Sequence, residues 1–380
     1  MTQTSRPIKI CFISPKAYPL FNPDIKEVFG GAEVDLYFLS RELAKDEDFD
    51  VSFITADYGQ GPCETIDGVK VIRSLDFRKN PVVGAIKVWR AMHSADSQIY
   101  FREAPAAANF LFALFCKLNK RIFVYRTASR GECDGQYFKK HRVGGKAFLW
   151  SLRKSSQVIV QNETDKTRIK QTAGVSSIVI PNAHPLPELS EHERGTVLWV
   201  GRSTPLKRPE LFINLAEQLP GEHFTMICQR ATDDRDYEVL KERAGKLNNL
   251  DFIPRVDFDQ TGRYYKRAKV FVNTSDSEGF PNTYVEACKY SVPILALCIN
   301  PDDFLTTHKC GLCADDNWDK FVDQFELMVG SEQTRDYGRN GRKYAEERHD
   351  IEKLVQEYKK LFVGLTGSDV SQAACANGSG

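Results

Sequence analysis

Residues 269–297, KVFVNTSDSEGFPNTYVEACKYSVPILAL, leave the chain little choice of local fold. Residues 269–273 are apolar and rich in β-branched side chains, the character of a strand buried on both faces. Residues 274–281 are crowded with Ser, Asp, Gly and Pro and break the strand. Pro281 or Asn282 then opens a helix to about Tyr290, since proline is tolerated in a first turn. Ser291, Val292 and Pro293 reset the chain, and residues 294–297 begin a second strand. Strand, loop, helix, strand with so short a return is a parallel βαβ unit, so an α/β sheet is expected.

The loop in this unit gathers several groups at one point. Gly279 allows the backbone to approach a ligand closely. The free N–H groups of the new helix, with its dipole behind them, suit an anion. Glu278 precedes the helix and Glu286 lies inside it. An ionised carboxylate only accepts hydrogen bonds, and its two oxygens match a vicinal diol. The loop therefore offers an anion seat between two diol-binding groups. A nucleotide-sugar is a diphosphate between two diol-rich rings.

Ser277-Glu278-Gly279-Phe280-Pro281, with Glu286-Ala287 following, resembles the E-x7-E motif of the retaining glycosyltransferases of family 4, which have the GT-B fold. The resemblance implies two Rossmann-like domains facing across a cleft. It also implies donor contacts from Glu278, Gly279, Phe280, Pro281, Asn282 and Glu286. Glu286 would grip the nucleotide ribose, and Glu278 with the backbone of 279–281 would meet the sugar and phosphate. Outside that context, two glutamates at this spacing read as a capping residue and a surface helical residue.

A chain of 380 residues with 42% hydrophobic and 27% charged residues can build two cores. Residues 8–14 read as a buried strand, and Gly30-Gly31-Ala32-Glu33 opens an amphipathic helix after a long loop. That strand–loop–helix exposes backbone at the end of a strand, where open α/β sheets bind ligands. Gly30 and Gly31 resemble the family's GGAE loop beside the donor diphosphate. Residues 57–70 read as a hairpin-like excursion, and 104–118 as a strongly apolar helix. The strand at 121–125 leads into a loop where many family members carry a histidine. Thr127, Ala128 and Ser129 stand there instead, which leaves Ser129 and Asp134 as the polar groups on the acceptor side.

In the second half, residues 196–201 form a strand ending in Gly201 and Arg202, with Lys207 just before the next helix. Two cations and free N–H groups at one strand end make an anion site. The pattern resembles the family's G-R-x(4)-K element, in which the Arg and Lys hold the nucleotide diphosphate. Residues 229–231 replace a frequent Gly-x-Gly turn of the family with Gln-Arg-Ala. The expected domains are 1–188, on the acceptor side, and 195–345, which binds the nucleotide-sugar. A helix over 349–363 is expected to cross back to the first domain. The tail 364–380, rich in Gly, Ser and Ala, is expected to be disordered.

A net charge of +1 argues against a nucleic-acid-coating protein. Locally the balance differs. Between Lys117 and Lys154 there are eleven Lys/Arg and two acids, with aromatic residues interleaved. That segment suits anionic lipid headgroups or a lipid-diphosphate acceptor. It also reads as a solvated helix face over buried aromatics. Residues 1–9 are short and polar, without a secretory-signal pattern, so the expected location is cytoplasmic, peripheral to the inner membrane face. Of the ten Cys, Cys310 and Cys313 form a lone C-x-x-C with no second pair to complete a zinc site.

The reading is an α/β, GT-B glycosyltransferase acting with retention on a nucleotide-sugar, with UDP the nucleotide by family frequency. The acceptor would be a glycan or a lipid-linked molecule. Arg202, Lys207 and Glu278 are the catalytic candidates. No metal or other cofactor is expected, because cations and helix termini can neutralise the diphosphate and no DxD pattern appears. Three other readings stay open: a nucleotide-sugar-binding protein without catalysis, a GT-B epimerase or phosphorylase, and an NAD-dependent Rossmann enzyme. The last lacks the G-x-G-x-x-G fingerprint.

Overall fold

A computed structural model of the chain describes residues 6–190, 193–231 and 236–376, with side chains as far as 367. It divides into two units, Met1–Pro185 with Asp350–Gly380, and Leu186–His349.

The first unit is built on eight strands, β1 (Ile8–Ile13), β2 (Phe49–Thr55), β3 (Cys63–Ile66), β4 (Val69–Arg73), β5 (Ile99–Glu103), β6 (Ile122–Arg126), β7 (Gln157–Val160) and β8 (Ile178–Val179). Their order is β3-β4-β2-β1-β5-β6-β7-β8, and every pairing is parallel except β3 with β4. The exception is the expected hairpin. Its turn holds Asp67 at φ 49° and Gly68 at φ 82°, both left-handed, as a two-residue hairpin turn requires.

Five of the unit's helices pack on this sheet: α1 (Gly31–Leu43), α2 (Pro81–Ala95), α3 (Asn109–Leu118), α4 (Arg142–Lys154) and α5 (Glu163–Ala173). Alternation along the strands sends Ile10 and Phe12 to one face of the sheet and Cys11 and Ile13 to the other. Leu36, Leu39 and Leu43 of α1 cover the first face. Helices α2 to α5 cover the second, through Val88, Phe112, Phe148 and Ile169 among others. Helix α3 begins five residues later than its apolar run. Ala104 sits at φ 77° and Asn109 donates its side-chain N–H to the Ala104 carbonyl, so a turn occupies the start. Helix α2 was not legible as periodicity, although Asn80-Pro81 is a start signal. The Asn80 side chain accepts from the Val82 N–H, and Pro81 takes the first helical position.

The second unit is an all-parallel six-stranded sheet of β9 (Thr196–Arg202), β10 (Phe224–Gln229), β11 (Leu250–Ile253), β12 (Ala268–Asn273), β13 (Ile294–Ala296) and β14 (Gly311–Cys313). The order is β11-β10-β9-β12-β13-β14. Helices α6 (Pro209–Gln218) and α9 (Trp318–Gly330) cover one face; α7 (Gly262–Arg267), α8 (Asn282–Lys289) and α10 (Thr334–Arg348) cover the other. Cys310 is buried and Cys313 half-buried at β14, both as free thiols.

The chain closes with α11 (Ile351–Ala376), whose Leu354, Tyr358 and Phe362 join the first unit's core. It runs on past Val363 because Leu361 and Leu365 continue the packed stripe. Of the tail expected to be disordered, residues 377–380 lie outside the described residues, as do residues 191–192 of the connecting segment.

Candidate functional site

Sheet order locates the site before any side chain is considered. In the second sheet, β9 is followed by neighbours on one side (β10, β11) and then by β12 on the other. The gap between the loops leaving β9 and β12 is thus a topological switch point, the usual ligand crevice of an open parallel sheet. Arg202 ends β9, Lys207 lies in the loop after it, and residues 274–281 form the loop after β12. The sequence-derived groups of this unit therefore flank one crevice.

The two loops are knitted together. Lys207 Nζ contacts Glu278 Oε1, with both side chains partly buried. The Asp276 N–H donates to the Leu206 carbonyl at 3.0 Å. Thr274 Oγ1 donates to the Lys207 carbonyl at 2.7 Å and accepts from Trp199 Nε1 at 3.0 Å. Arg208, at φ 45°, donates through Nε to the Thr274 carbonyl at 2.7 Å and through Nη1 to Asp316 at 2.6 Å. Arg208 and Thr274 were not singled out from sequence. Arg208 stands beside Lys207, and only the strand order reveals that its partner loop follows β12. Arg202 remains exposed, and no carboxylate lies within ion-pair distance of it among the described residues.

Helix α8 starts at Asn282, capped by Pro281 in extended conformation. Gly279 is buried. The Phe280 ring packs at centroid distances of 5.0 Å from Phe304 and 4.8 Å from His349. Its ring is core, so Phe280 offers a ligand its backbone only. Glu286, 9% exposed, lies one turn further along α8, where Oε1 accepts from Lys289 Nζ at 2.7 Å. Lys289 is itself buried and lies over the Tyr290 ring at 5.5 Å. A spacing of three on one helix face made this partner visible in the sequence, though it was not read there.

The remaining expected residues belong to the first unit. Gly30 caps α1, its N–H donating to Glu33 Oε2 at 2.8 Å, and a Cβ there would stand 3.2 Å from that oxygen. Gly31 is the first residue of the helix. Ser129 Oγ donates to Glu132 Oε1 at 3.0 Å, and Asp134 accepts from the Gln136 N–H at 3.0 Å. Glu132 was overlooked. It is fully buried, accepts from the Ala128 N–H at 2.9 Å and pairs with the Tyr125 hydroxyl. Burial pushes its carboxyl up to about 7, against the hydrogen bonds that favour ionisation.

Below this loop lies a buried charge network. Arg126 donates to Glu103 at 2.6 Å, Asp35 at 3.2 Å and Asn182 at 2.7 Å. Burial opposes its charge, and the two carboxylates outweigh burial and hold it ionised. Among the described residues no group of three or more His, Cys, Asp or Glu side chains is arranged to hold a metal ion.

Residues 185–344 match the family described as "Glycosyl transferases group 1". An uncharacterized glycosyltransferase of Haemophilus influenzae is 24% identical over 216 residues, 54% of this chain and 61% of the relative. The chain thus spans about three fifths of that relative's length. Among solved structures, a sucrose-phosphate synthase from Thermosynechococcus elongatus superposes with a TM-score of 0.76 at 17% identity, covering 94% of this chain and 99% of the other. WaaG, a glycosyltransferase involved in lipopolysaccharide biosynthesis, gives 0.67 at 16% identity, covering 93% and 100%. The fold is that of these GT-B proteins, with two parallel-sheet α/β units.

Proposed function

We propose that the chain is a retaining glycosyltransferase of the family 4 type, with UDP-sugar as donor and a glycan or lipid-linked molecule as acceptor. The observation that carries this is the pairing of the Arg202–Lys207 loop with the Glu278–Glu286 segment across one switch point. The group 1 match covers the same segment. Arg202 and Lys207 receive the charge that builds on the departing diphosphate, a preorganised electrostatic role. Asn282 and the backbone of 279–281 seat the phosphates at the start of α8. Glu286 takes the ribose hydroxyls. Glu278 faces the sugar, whose anomeric carbon becomes cationic as its bond to the diphosphate stretches.

In this reading no metal ion is required, since two cations and a helix N-terminus balance the diphosphate. The Lys207–Glu278 pair must loosen when a donor arrives, because the diphosphate competes for the lysine. On the first unit, Gly30 and Gly31 are the donor-side candidates, and Ser129 and Asp134 the acceptor-side candidates. A lipid-linked acceptor would bring the chain to an anionic membrane surface.

A second reading, nucleotide-sugar binding without catalysis, draws on Thr127, Ala128 and Ser129 where family members carry a histidine. Release of free UDP from UDP-sugars separates the two: turnover, even slow hydrolysis, is expected, and tight binding with none would favour the binder. Arg202→Ala should leave thermal unfolding unchanged and lower turnover by about 100-fold or more. Turnover near wild type would remove Arg202 from the site.

A further inference from the structure

The first sheet has a switch point of its own. From β1 the chain builds β2, β3 and β4 on one side, and β5 then takes the other side of β1. An open parallel sheet binds ligands at such a point, beyond the strand ends. Arg102, next to last in β5, stands there. It lies in register with Ile13, the last residue of β1, and with Tyr125 of β6.

Arg102 is a buried cation without a counter-charge. It is 9% exposed, and its Nη1 donates to the Ile13 carbonyl at 3.1 Å. Nε is buried, and neither Nε nor Nη2 has a hydrogen-bond partner among the described residues. No carboxylate among those residues lies within ion-pair distance of it. The acids nearby are committed elsewhere. Glu33 accepts from the Ser14 hydroxyl at 3.2 Å and from the Gly30 N–H at 2.8 Å. Glu132 holds Tyr125, Ala128 and Ser129, and Glu103 is given to Arg126. Burial pulls the Arg102 guanidinium below its usual pKa, against the more distant attraction of Glu33, Tyr125, Glu103 and Glu132.

Arg126 shows how the same sheet treats a guanidinium that serves structure. It is also buried, and Glu103, Asp35 and Asn182 accept from it at 2.6, 3.2 and 2.7 Å. A buried charge left unpaired costs stability. Arg102 carries that cost at the point where the sheet's topology places a ligand. Its Nε and Nη2 lie along one edge of the guanidinium and present two parallel N–H groups. Such an edge matches two oxygens of a carboxylate or a phosphate.

We infer that Arg102 holds an anionic group of the acceptor, a phosphate ester or a carboxylate, through its Nε–Nη2 edge. Arg102 thereby selects charged acceptors over uncharged ones and fixes them at the strand ends of the first unit. That the anion belongs to an acceptor rests on the glycosyltransferase reading. The anion site itself does not, since every residue used lies outside the second unit.

Thermal-shift titrations of the full chain test it, with inorganic phosphate and with acetate, chloride holding the ionic strength constant, and UDP titrated separately. Phosphate, acetate or both should stabilise the wild type, and the one that acts names the anion. Arg102→Gln should weaken this response by about tenfold or more, while UDP affinity stays at the wild-type value. Arg202→Ala with Lys207→Ala should do the reverse, losing UDP and keeping the anion response. Arg102→Gln should also unfold at the wild-type temperature or above, because it removes an uncompensated buried charge. Arg102→Lys keeps the charge and loses the fork, so it should fold as wild type and respond more weakly. An equal anion response in wild type, Arg102→Gln and Arg102→Lys overturns the inference, as does a wild type that responds to neither anion. A lower unfolding midpoint in Arg102→Gln with the anion response intact marks a strand staple and overturns it too. If UDP binds none of these proteins while the anion response still depends on Arg102, the donor reading falls and the anion site stands.

Discussion

Glu132 shows how much one side chain can set at this loop. It ties the Ala128 N–H, the Ser129 hydroxyl and the Tyr125 hydroxyl to one buried carboxyl. Its pKa, held near 7 by burial, makes stability depend on pH. Unfolded, the group ionises at its ordinary value; folded, it keeps its proton to about 7. Between those values the folded chain binds more protons, so stability falls as pH rises and levels off above 7. The shift corresponds to roughly 3 kcal/mol at most. Glu132→Gln keeps one acceptor oxygen for the Ala128 N–H and the Ser129 hydroxyl, turns its NH2 to the Tyr125 oxygen and cannot ionise, so it should flatten the fall in unfolding midpoint between pH 5 and about 7. An unchanged pH profile in the variant would assign that dependence elsewhere.

At the scale of elements, the site depends on how closely helices approach. Helix α10 lies against α8 with Gly338 at the contact, where a Cβ would stand 2.2 Å from the Ser291 carbonyl oxygen. Gly338→Ala must push α10 away or shift the turn after α8. It should lower stability by about 1–3 kcal/mol, read by chemical denaturation. A melting curve like wild type would show that α8 tolerates displacement.

Elements of this kind were legible where pattern and chemistry coincide. The βαβ unit of β12, α8 and β13 was readable because apolar strands, a Gly/Pro break and a helix start come in order. The close packing around Gly338 was not, since a helical glycine reads as a weak position and its neighbour is distant in sequence. Arg208 was missed for the same reason, because its Thr274 partner adjoins it only once β9 and β12 pair. Helix α2 was missed because its apolar residues fall on both sides, Val88 and Met92 inward and Val82 and Ile86 outward. The reason lies in the surface rather than the core.

At the scale of the whole chain, two parallel sheets follow from strands that are apolar on both faces and from connections long enough to hold helices. Function is legible less directly. Carboxylates, cations and glycines at strand ends suggest the class of ligand proposed above, and nothing in their spacing points to the sugar.

The central claim, that a nucleotide-sugar sits at the switch point of the second unit, is tested most directly by calorimetric titration of UDP. Wild type, Glu286→Gln and Glu278→Gln should be compared, with steady-state kinetics alongside. Glu286→Gln loses the charged ribose contact and should weaken UDP by about tenfold or more. Glu278→Gln frees Lys207 from its pair, so UDP should bind at least as tightly, and the loss should fall on kcat. If UDP binds none of the three proteins, or binds all three alike with unchanged turnover, the donor does not sit between these loops.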